Sequence, residues 1–190
     1  MLLIVGLGNP GPRFENTRHN VGFDVARRVS TRLDLTLRKR FLRPYLWARS
    51  TDVVVVLPLT YMNRSGRILP SLMRATGAEV GDLVVVCDNM DLSPGVARIK
   101  RKGSSRSHNG IASIMDALGT GEFTRLYVGV GRPETPSGVV EHVLSAPPEA
   151  EAALYDRAEE RACEALIALA VEHYPLDRVI NGLNAGDAGR

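Results

Sequence analysis

The opening stretch, residues 1–22, constrains the fold of this chain more than any other segment. It begins with the apolar run Leu2–Val5, which is typical of a strand buried on both faces. In the following Gly6–Pro12 segment, every residue other than Leu7 and Asn9 is glycine or proline, so the loop holds one backbone shape at low steric cost. We therefore expect this segment to present Asn9, and His19 beyond it, at the carboxyl end of a buried strand.

The remainder of the chain alternates strand and helix patterns. Apolar residues at four-residue spacing predict a helix from Val21, and further helices are predicted at about 68–76, 111–118 and 149–173. Apolar runs predict strands at 45–49, 53–57, 83–87, 96–100 and 126–130. Strand 96–100 alternates polar and apolar residues, which suggests a mixed sheet. The pattern predicts one three-layer α/β domain over residues 1–184, followed by a disordered tail at 185–190.

Composition excludes several classes of protein. The chain has 24 basic and 21 acidic residues, a formal charge of +3, which is too small for a histone-like protein. Its two cysteines, Cys87 and Cys163, have no metal-type or redox-type spacing and are expected to be free thiols. No signal peptide is evident, and no apolar stretch approaches the ~20 residues that a membrane span needs. We therefore expect a cytoplasmic protein that does not bind membranes.

The glycine pattern of the opening loop has an alternative interpretation. Gly6, Gly8 and Gly11 match the spacing of a dinucleotide-binding loop, and an acidic residue follows at Asp34. That site needs a helix beginning directly at the loop, to receive the pyrophosphate. Here prolines bracket Gly11 and the helical pattern begins only near Val21. An NAD(P)-dependent oxidoreductase therefore remains only as a minor alternative.

Polar residues at predicted strand ends are the candidates for catalysis. A histidine base operates near neutral pH, because its ordinary pKa is about 6.5, and an aspartate can orient its ring. His19 and Asp88 are the pair that fits these roles, although two such residues far apart in sequence are often structural. The amides of Asn9, Asn63 and Asn109 also lie in or beside loops, where they suit recognition of peptide groups and of a developing oxyanion.

A basic segment follows the predicted Asp88 strand. No acidic residue occurs between Asp91 and Asp116, whereas basic side chains are dense, which indicates a phosphate-contacting edge or a solvated loop; its members are Arg98, Lys100, Arg101, Lys102, Arg106 and His108. Neither a His-Glu-x-x-His motif nor a cysteine–histidine cluster occurs, so we expect no metal site.

Five short motifs occur along the chain in a specific order. They are GLGNPG at 6–11, TRHNVG at 17–22, PLTYMNRSG at 58–66, Asp88 through Asp91-Leu92 with PGVARIK at 94–100, and SHNG at 107–110. Together they resemble the motifs of bacterial peptidyl-tRNA hydrolases. The resemblance runs from Met1 to about Pro148, and more loosely through the C-terminal helix.

The resemblance implies an esterase that cleaves the bond between a peptide and the 3′ ribose of its tRNA, so that prematurely released peptidyl-tRNA is recycled. By resemblance, His19 activates water, Asp88 orients His19, and Asn9 helps to distinguish a blocked amino group from a free one. The residues implied in contact with substrate or tRNA are Phe14, Tyr61, Asn63, Arg98, Lys100, Arg106, His108 and Asn109. The family has a twisted mixed sheet between helices, a phosphorylase/hydrolase-like fold, and is usually a monomer without metal or cofactor.

Four positions depart from the family pattern. Phe14 replaces a usual tyrosine, Tyr127 replaces a basic residue that can clamp a tRNA phosphate, and Asn89 replaces an acid. The usually glycine-rich loop before His108 reads GSSRS at 103–107. These changes concern substrate affinity. The alternative from another class is an RNA-binding module of the same fold without hydrolysis, which would not need the five residues Asn9, His19, Asn63, Asp88 and Asn109.

Overall fold

One mixed sheet forms the centre of the molecule. In the computed structural model, which describes residues 1–105, 108–133 and 135–186, seven strands pair in the order β2-β3-β4-β1-β5-β7-β6. They are β1 (Leu2–Gly6), β2 (Arg38–Lys39), β3 (Tyr45–Arg49), β4 (Val53–Pro58), β5 (Leu83–Asn89), β6 (Ala97–Lys100) and β7 (Thr124–Gly129). Strands β4, β1, β5 and β7 are parallel, and β2, β3 and β6 pair antiparallel to their neighbours.

Helices cover both faces of this sheet. They are α1 (Val21–Arg32), α2 (Leu69–Thr76), α3 (Asn109–Leu118), α4 (Val139–Val143), α5 (Ala152–Ala170) and α6 (Leu176–Ala185). Side chains of α1, α5 and α6 pack with one set of strand residues, and those of α2 and α3 pack with the other set. Neighbouring residues of β1 divide between these cores, because successive strand side chains point to opposite faces. The α/β fold with a mixed sheet is therefore confirmed.

The parallel strands direct their carboxyl ends to one edge of the sheet, here called the carboxyl edge. At this edge α1 begins unusually close to the strands. A Cβ atom on Gly22 would lie 2.4 Å from the carbonyl oxygen of Val86 and 2.6 Å from the backbone nitrogen of Leu7. Only glycine permits this approach. As a result, the segment just before α1, which carries His19, lies against the ends of β1 and β5.

Most elements agree with the sequence prediction. The predicted strands are confirmed, and β5 extends two residues further, through Asp88 to Asn89. The predicted C-terminal helix is shorter: α5 is preceded by a 3-10 turn at Glu149–Glu151. The sequence pattern does not predict β2, α4 and α6, because two- and five-residue elements show no periodicity and α6 contains glycine and asparagine. The first residue of the predicted tail, Ala185, is the last residue of α6. Residues 187–190 of that tail lie outside the described residues.

Two further expectations concern the cysteines and membranes. Cys87 and Cys163 are both free and buried, as predicted. Burial raises the pKa of the Cys163 thiol to about 11, so it is a poor nucleophile at neutral pH. Among the helices of the described residues, none combines the length and apolar character needed to cross a membrane.

The contact between α1 and α5 contains more acid than base. Arg28 bonds three α5 carboxylates, those of Asp156, Glu159 and Glu160. Burial would lower the pKa of its guanidinium, but these carboxylates together outweigh burial and raise it. Arg32 also pairs with Glu160, and Arg27 pairs with Asp24, so among the described residues Arg28 alone pairs with both Asp156 and Glu159. Burial, and next the charge of Asp24, raise the pKa of Glu159 to about 7 despite the Arg28 contact. Of the three α5 carboxylates, that of Glu159 is the most buried. Its charged form is therefore destabilised in the folded protein.

Glu159→Gln is expected to make the protein more stable than wild type at pH 8. The folded-state pKa of Glu159 exceeds the 4.5 of the free side chain, so folded protein holds more protons between these values. Its contribution is present below pH 4.5 and is lost as pH rises through 7. We expect thermal melts at pH 5.5 and 8 to show a smaller decrease in Tm for the variant, by roughly 2–6 °C. The exposed Glu172→Gln is the control, and equal decreases in all three proteins would contradict this expectation.

Candidate active site

A cleft of about 340 Å³ opens at the carboxyl edge, beside the ends of β1 and β5. Seven of the residues singled out from the sequence line it: Asn9, His19, Tyr61, Asn63, Asp88, His108 and Asn109. Phe14, Arg98 and Lys100 are not part of its lining. Arg106 lies outside the described residues. The structure thus brings together residues from five separate segments of the chain.

Asn9 is held in a single orientation by its surroundings. Its backbone N–H donates to Oδ1 of Asn20 at 2.8 Å, and Nδ2 of Asn20 donates back to the Asn9 carbonyl at 3.0 Å. The side-chain oxygen Oδ1 of Asn9 accepts the backbone N–H of Met62 at 2.8 Å. Because this donor needs the oxygen, the amide nitrogen Nδ2 of Asn9 is left to face the cleft as a donor.

His19 pairs with Asp88 as predicted. Its Nδ1 lies 2.7 Å from Oδ1 of Asp88, whose residue is only 4% exposed. His19 belongs to a short 3-10 turn, Arg18–Asn20, directly before α1. A carboxylate accepts a proton from Nδ1, which leaves Nε2 of His19 with a free lone pair. This is the tautomer that can act as a general base.

His108 is a second histidine on the same carboxylate. Its Nε2 lies 3.0 Å from Oδ1 of Asp88, and its ring centre lies 5.0 Å from that of His19. Its Nδ1 accepts the backbone N–H groups of Gly110 and Ile111 at the start of α3, at 3.1 and 3.3 Å. Two donors at Nδ1 require the proton of neutral His108 on Nε2, where it donates to Asp88.

The charge state of Asp88 follows from these two contacts. Burial alone would raise its pKa, but His108 and His19 together outweigh burial and hold the pKa well below its usual range. Asp88 therefore remains a carboxylate at neutral and mildly acidic pH. As an anion that accepts from both rings, it fixes their tautomers.

The same three residues have the composition of a metal site. Possible ligand atoms of His19, Asp88 and His108 all lie within 4.8 Å of one another. A metal on Nε2 of His108 would move the ring proton to Nδ1, where it would oppose the N–H groups of Gly110 and Ile111. The hydrogen bonding of α3 therefore disfavours a metal here and favours proton chemistry.

Two further amides approach the cleft through a tight helix contact. Asn63 lies at the start of a 3-10 segment, Met62–Ile68, and Asn109 is the first residue of α3. These elements touch at Gly66, where a Cβ atom would lie 2.0 Å from the carbonyl oxygen of Ser113. Glycine at this position lets the two elements approach closely. Both exposed asparagines consequently lie at the same cleft.

An aromatic pair stands beside the cleft. Phe14 and Tyr61 meet edge to face, with ring centres 6.4 Å apart and planes at 77°. The guanidinium of Arg13 lies over the Phe14 ring, 4.8 Å from its centre. Tyr61 is largely exposed, so its ring is accessible to a flat ligand.

The basic segment predicted to meet tRNA divides in the structure. On β6, Arg98 pairs with Tyr127, which lines the cleft, whereas Lys100 pairs with Arg125, further from the carboxyl edge. Arg125 is fully buried and its Nη2 donates to the carbonyl of Gly103 at 2.6 Å. This guanidinium holds the beginning of the loop that leads to His108.

Three groups of residues around the site were not predicted from the sequence. The first is Asn20, whose side chain locks Asn9; its place beside His19 in the TRHNVG motif was the available signal. The second is Arg18, which is buried and bonds the carbonyls of His142, Ser145 and Ala146. The third is an apolar wall from the α4 region, which gave no periodic signal and consists of Val139, Val140, Val143 and Leu144.

Comparison with known proteins agrees with the fold and indicates the family. The sequence profile of the peptidyl-tRNA hydrolase family matches residues 3–188. A peptidyl-tRNA hydrolase of Shouchella clausii is 41% identical over 87% of this chain and 91% of its own length. One from Bacillus subtilis is 39% identical over 97% and 99%. The crystal structure of peptidyl-tRNA hydrolase from Acinetobacter baumannii superposes with a TM-score of 0.90 at 32% identity, covering 97% of this chain and 95% of that one.

Together, the mixed α/β sheet, the histidine–aspartate cluster at its carboxyl edge and these relatives define an enzyme of the hydrolase class. The chain belongs to the peptidyl-tRNA hydrolase family.

Proposed function

We propose that the chain hydrolyses the ester between a peptide and the 3′ ribose of tRNA, with His19 as the general base. The observation that carries this proposal is the His19–Asp88 contact at 2.7 Å in a cleft lined by amides. We further propose that it acts as a monomer without a cofactor, because one chain supplies every residue of the mechanism. Its proposed location is the cytoplasm, as expected from the sequence.

In the first step, Nε2 of His19 takes a proton from a water molecule, whose oxygen attacks the ester carbonyl carbon. Asp88 stabilises the imidazolium that forms, and His108 holds Asp88 in place by donating to the same oxygen. The tetrahedral intermediate then loses the ribose 3′ oxygen, which receives the proton from His19. The products are a peptide carboxylate and a tRNA with a free 3′ hydroxyl.

The amide of Asn9 supplies recognition beside this base. Its Nδ2 faces the cleft as a donor, because Met62 occupies its oxygen. A donor of this kind suits a carbonyl oxygen of the substrate, either the developing oxyanion or an acyl group on the amino nitrogen. A free α-ammonium, itself a cationic donor, would oppose Nδ2. We propose that this mismatch makes the enzyme selective for N-blocked substrates.

The two parts of the substrate have separate contacts in this proposal. The exposed Tyr61 ring, supported by Phe14, suits the terminal adenine of tRNA through stacking. Asn63, Asn109 and the apolar wall of the α4 region would contact the first residues of the peptide. Arg98 beside the cleft, with Lys100 and Arg106, is proposed to meet the tRNA end. His108 does not suit the tRNA contact that the resemblance implied, because Asp88 and the start of α3 occupy both of its ring nitrogens.

The decisive experiment compares hydrolysis of N-acetyl-aminoacyl-tRNA with that of the same aminoacyl-tRNA bearing a free amino group. We expect kcat/KM for the blocked substrate to be about 10²-fold higher or more. A substrate with a free ammonium group leaves Nδ2 of Asn9 without an acceptor, and an unpaired buried polar group costs up to several kcal/mol. Equal binding of both tRNAs without hydrolysis would instead support an RNA-binding module. The complete set of five polar site residues favours the enzyme.

Asn9→Asp tests the source of this selectivity. One carboxylate oxygen can still accept the Met62 N–H, while the other presents an acceptor to the cleft in place of Nδ2. We expect the ratio of kcat/KM between blocked and free substrates to decrease by about tenfold, which corresponds to ~1.4 kcal/mol. Asp116→Asn, at an exposed position on α3, is the control. An unchanged ratio would remove Asn9 from substrate discrimination.

A further inference from the structure

A sharp turn at residues 39–44, here called the Phe41 turn, carries the two most exposed large apolar side chains of the described residues. Phe41 is 87% exposed and Leu42 is 85% exposed. The turn is closed by a hydrogen bond from the Arg43 N–H to the Arg40 carbonyl at 3.1 Å. Neither side chain belongs to the hydrophobic core on either face of the sheet. Adjacent exposed apolar residues of this size at one tip indicate a contact surface.

The backbone of the turn supports the same view. Leu42 has a φ of 54°, in the left-handed region that residues with a side chain rarely adopt. Glycine or asparagine would form this turn at lower steric cost. A leucine held in that conformation at a solvent-exposed tip is a local outlier, and such outliers concentrate at functional positions.

The turn is also strongly basic. Four cations, Arg38, Lys39, Arg40 and Arg43, surround Phe41 and Leu42, and no acidic residue occurs from Leu35 to Thr51. Within the described residues, no ion pair involves any of the four. The guanidinium of Arg40 rests on the Trp47 ring, 4.5 Å from its centre, which keeps it beside the turn. The positive charge is therefore uncompensated.

The Phe41 turn lies on the same edge of the sheet as the cleft. It leads into β3, whose first residue, Tyr45, pairs with Pro58 at the carboxyl end of β4. The Pro44 carbonyl accepts the backbone N–H of Leu59 at 2.7 Å, two residues before Tyr61. Strands β3 and β5 are separated by β4 and β1, hence by about 14 Å. A ligand seated at His19 can reach the turn along this edge.

We propose that the Phe41 turn is a second contact for the tRNA part of the substrate, on the side of the cleft opposite Arg98. Its arginines would meet backbone phosphates, while Phe41 and Leu42 would pack on an unpaired base or ribose. The peptide part varies in charge and cannot supply a constant partner for four cations, whereas RNA is always a polyanion. This inference rests on the proposed function, because it extends the same site.

The test compares two substrates of different size. One is N-acetyl-aminoacyl-tRNA, and the other is the corresponding N-acetyl-aminoacyl ester of adenosine, which lacks the rest of the tRNA. For the double variant Phe41→Ser, Leu42→Ser, we expect KM for the tRNA substrate to rise roughly 5- to 100-fold, as for loss of a stacking aromatic side chain. We expect kcat to remain unchanged, along with all parameters for the adenosine ester.

Matched variants separate this effect from loss of folding. Phe41→Trp retains a stacking ring and is expected to keep a wild-type KM. Val171→Ser removes an exposed apolar side chain elsewhere and is expected to change nothing. The pair Lys39→Gln, Arg43→Gln should lower the slope of log KM against log salt concentration by about 1.5, as expected for two lost phosphate contacts. The exposed Arg74→Gln on α2 is its control.

Three outcomes would overturn the inference. An unchanged KM for tRNA in the serine double variant would show that the turn does not contact RNA. An equal rise for both substrates would place its effect in the cleft itself. If the wild-type protein sedimented with anionic phospholipid vesicles and the serine double variant did not, with KM for tRNA unchanged, the partner of the turn would be a membrane surface. Failure of the wild-type enzyme to hydrolyse either substrate would instead contradict the proposed function.

Discussion

His19→Ala is expected to lower kcat for N-acetyl-aminoacyl-tRNA by about 10³-fold, within the range that a positioned general base contributes. The reason is that Nε2 of His19 is the proposed proton acceptor, left free because Nδ1 donates to Asp88 at 2.7 Å. Asn9, Asn63 and the basic residues remain in place in this variant. We therefore expect KM, and binding of uncharged tRNA, to change by less than about threefold.

The control for this prediction is His173→Ala. His173 is exposed, and its closest carboxylate is that of Asp52, at 3.9 Å, remote from the cleft. Steady-state hydrolysis and tRNA titration of both variants separate a loss of chemistry from a loss of binding. Retention of a wild-type kcat by His19→Ala would exclude the histidine-base mechanism.

Asp88→Asn is expected to lower kcat by about 10²-fold or more, as in other histidine–aspartate pairs. In wild type, one carboxylate oxygen accepts from both His19 and His108. Asparagine removes the negative charge that stabilises the imidazolium of His19. If its Nδ2 occupied the position of Oδ1, it would oppose the proton on Nε2 of His108, which α3 holds there. Either orientation weakens the base.

Thermal stability distinguishes this effect from unfolding. Removing the charge from a buried group that bonds two rings will also lower stability, so activity must be measured well below the Tm of the variant. Asp116→Asn, on the exposed side of α3, should keep both wild-type activity and Tm. If Asp88→Asn were folded and fully active, the orienting role of Asp88 would be wrong.

The sequence predicted the frame of the site well, because its signals are local. The buried run of β1, the stiff Gly6–Pro12 loop and the apolar stripe of α1 each follow from spacing within a few residues. The same strands located Asp88 at an end of the sheet, since parallel strands share a carboxyl edge. These signals identified His19, Asp88 and Asn9 as candidates before their contacts were known.

Other features depend on contacts between distant segments. The donor orientation of Asn9 requires the Met62 N–H, 53 residues later in the chain. The tautomer of His108 depends on where α3 begins, and its contact with Asp88 crosses 20 residues. The apolar wall from α4 belongs to a five-residue helix too short to produce a periodic pattern. Local spacing contains no information about such pairings.

The opening segment shows where this division lies. By itself, the sequence determined a buried strand, a rigid loop and a histidine before a helix, because steric preference and hydrophobic periodicity act between near neighbours. Only the tertiary structure decided the chemistry of that loop. Asn20 and Met62 set the direction of the Asn9 amide, and Asp88 with His108 set the free nitrogen of His19. Hydrogen bonds between distant residues make those choices, and they exist only when the sheet and helices are assembled.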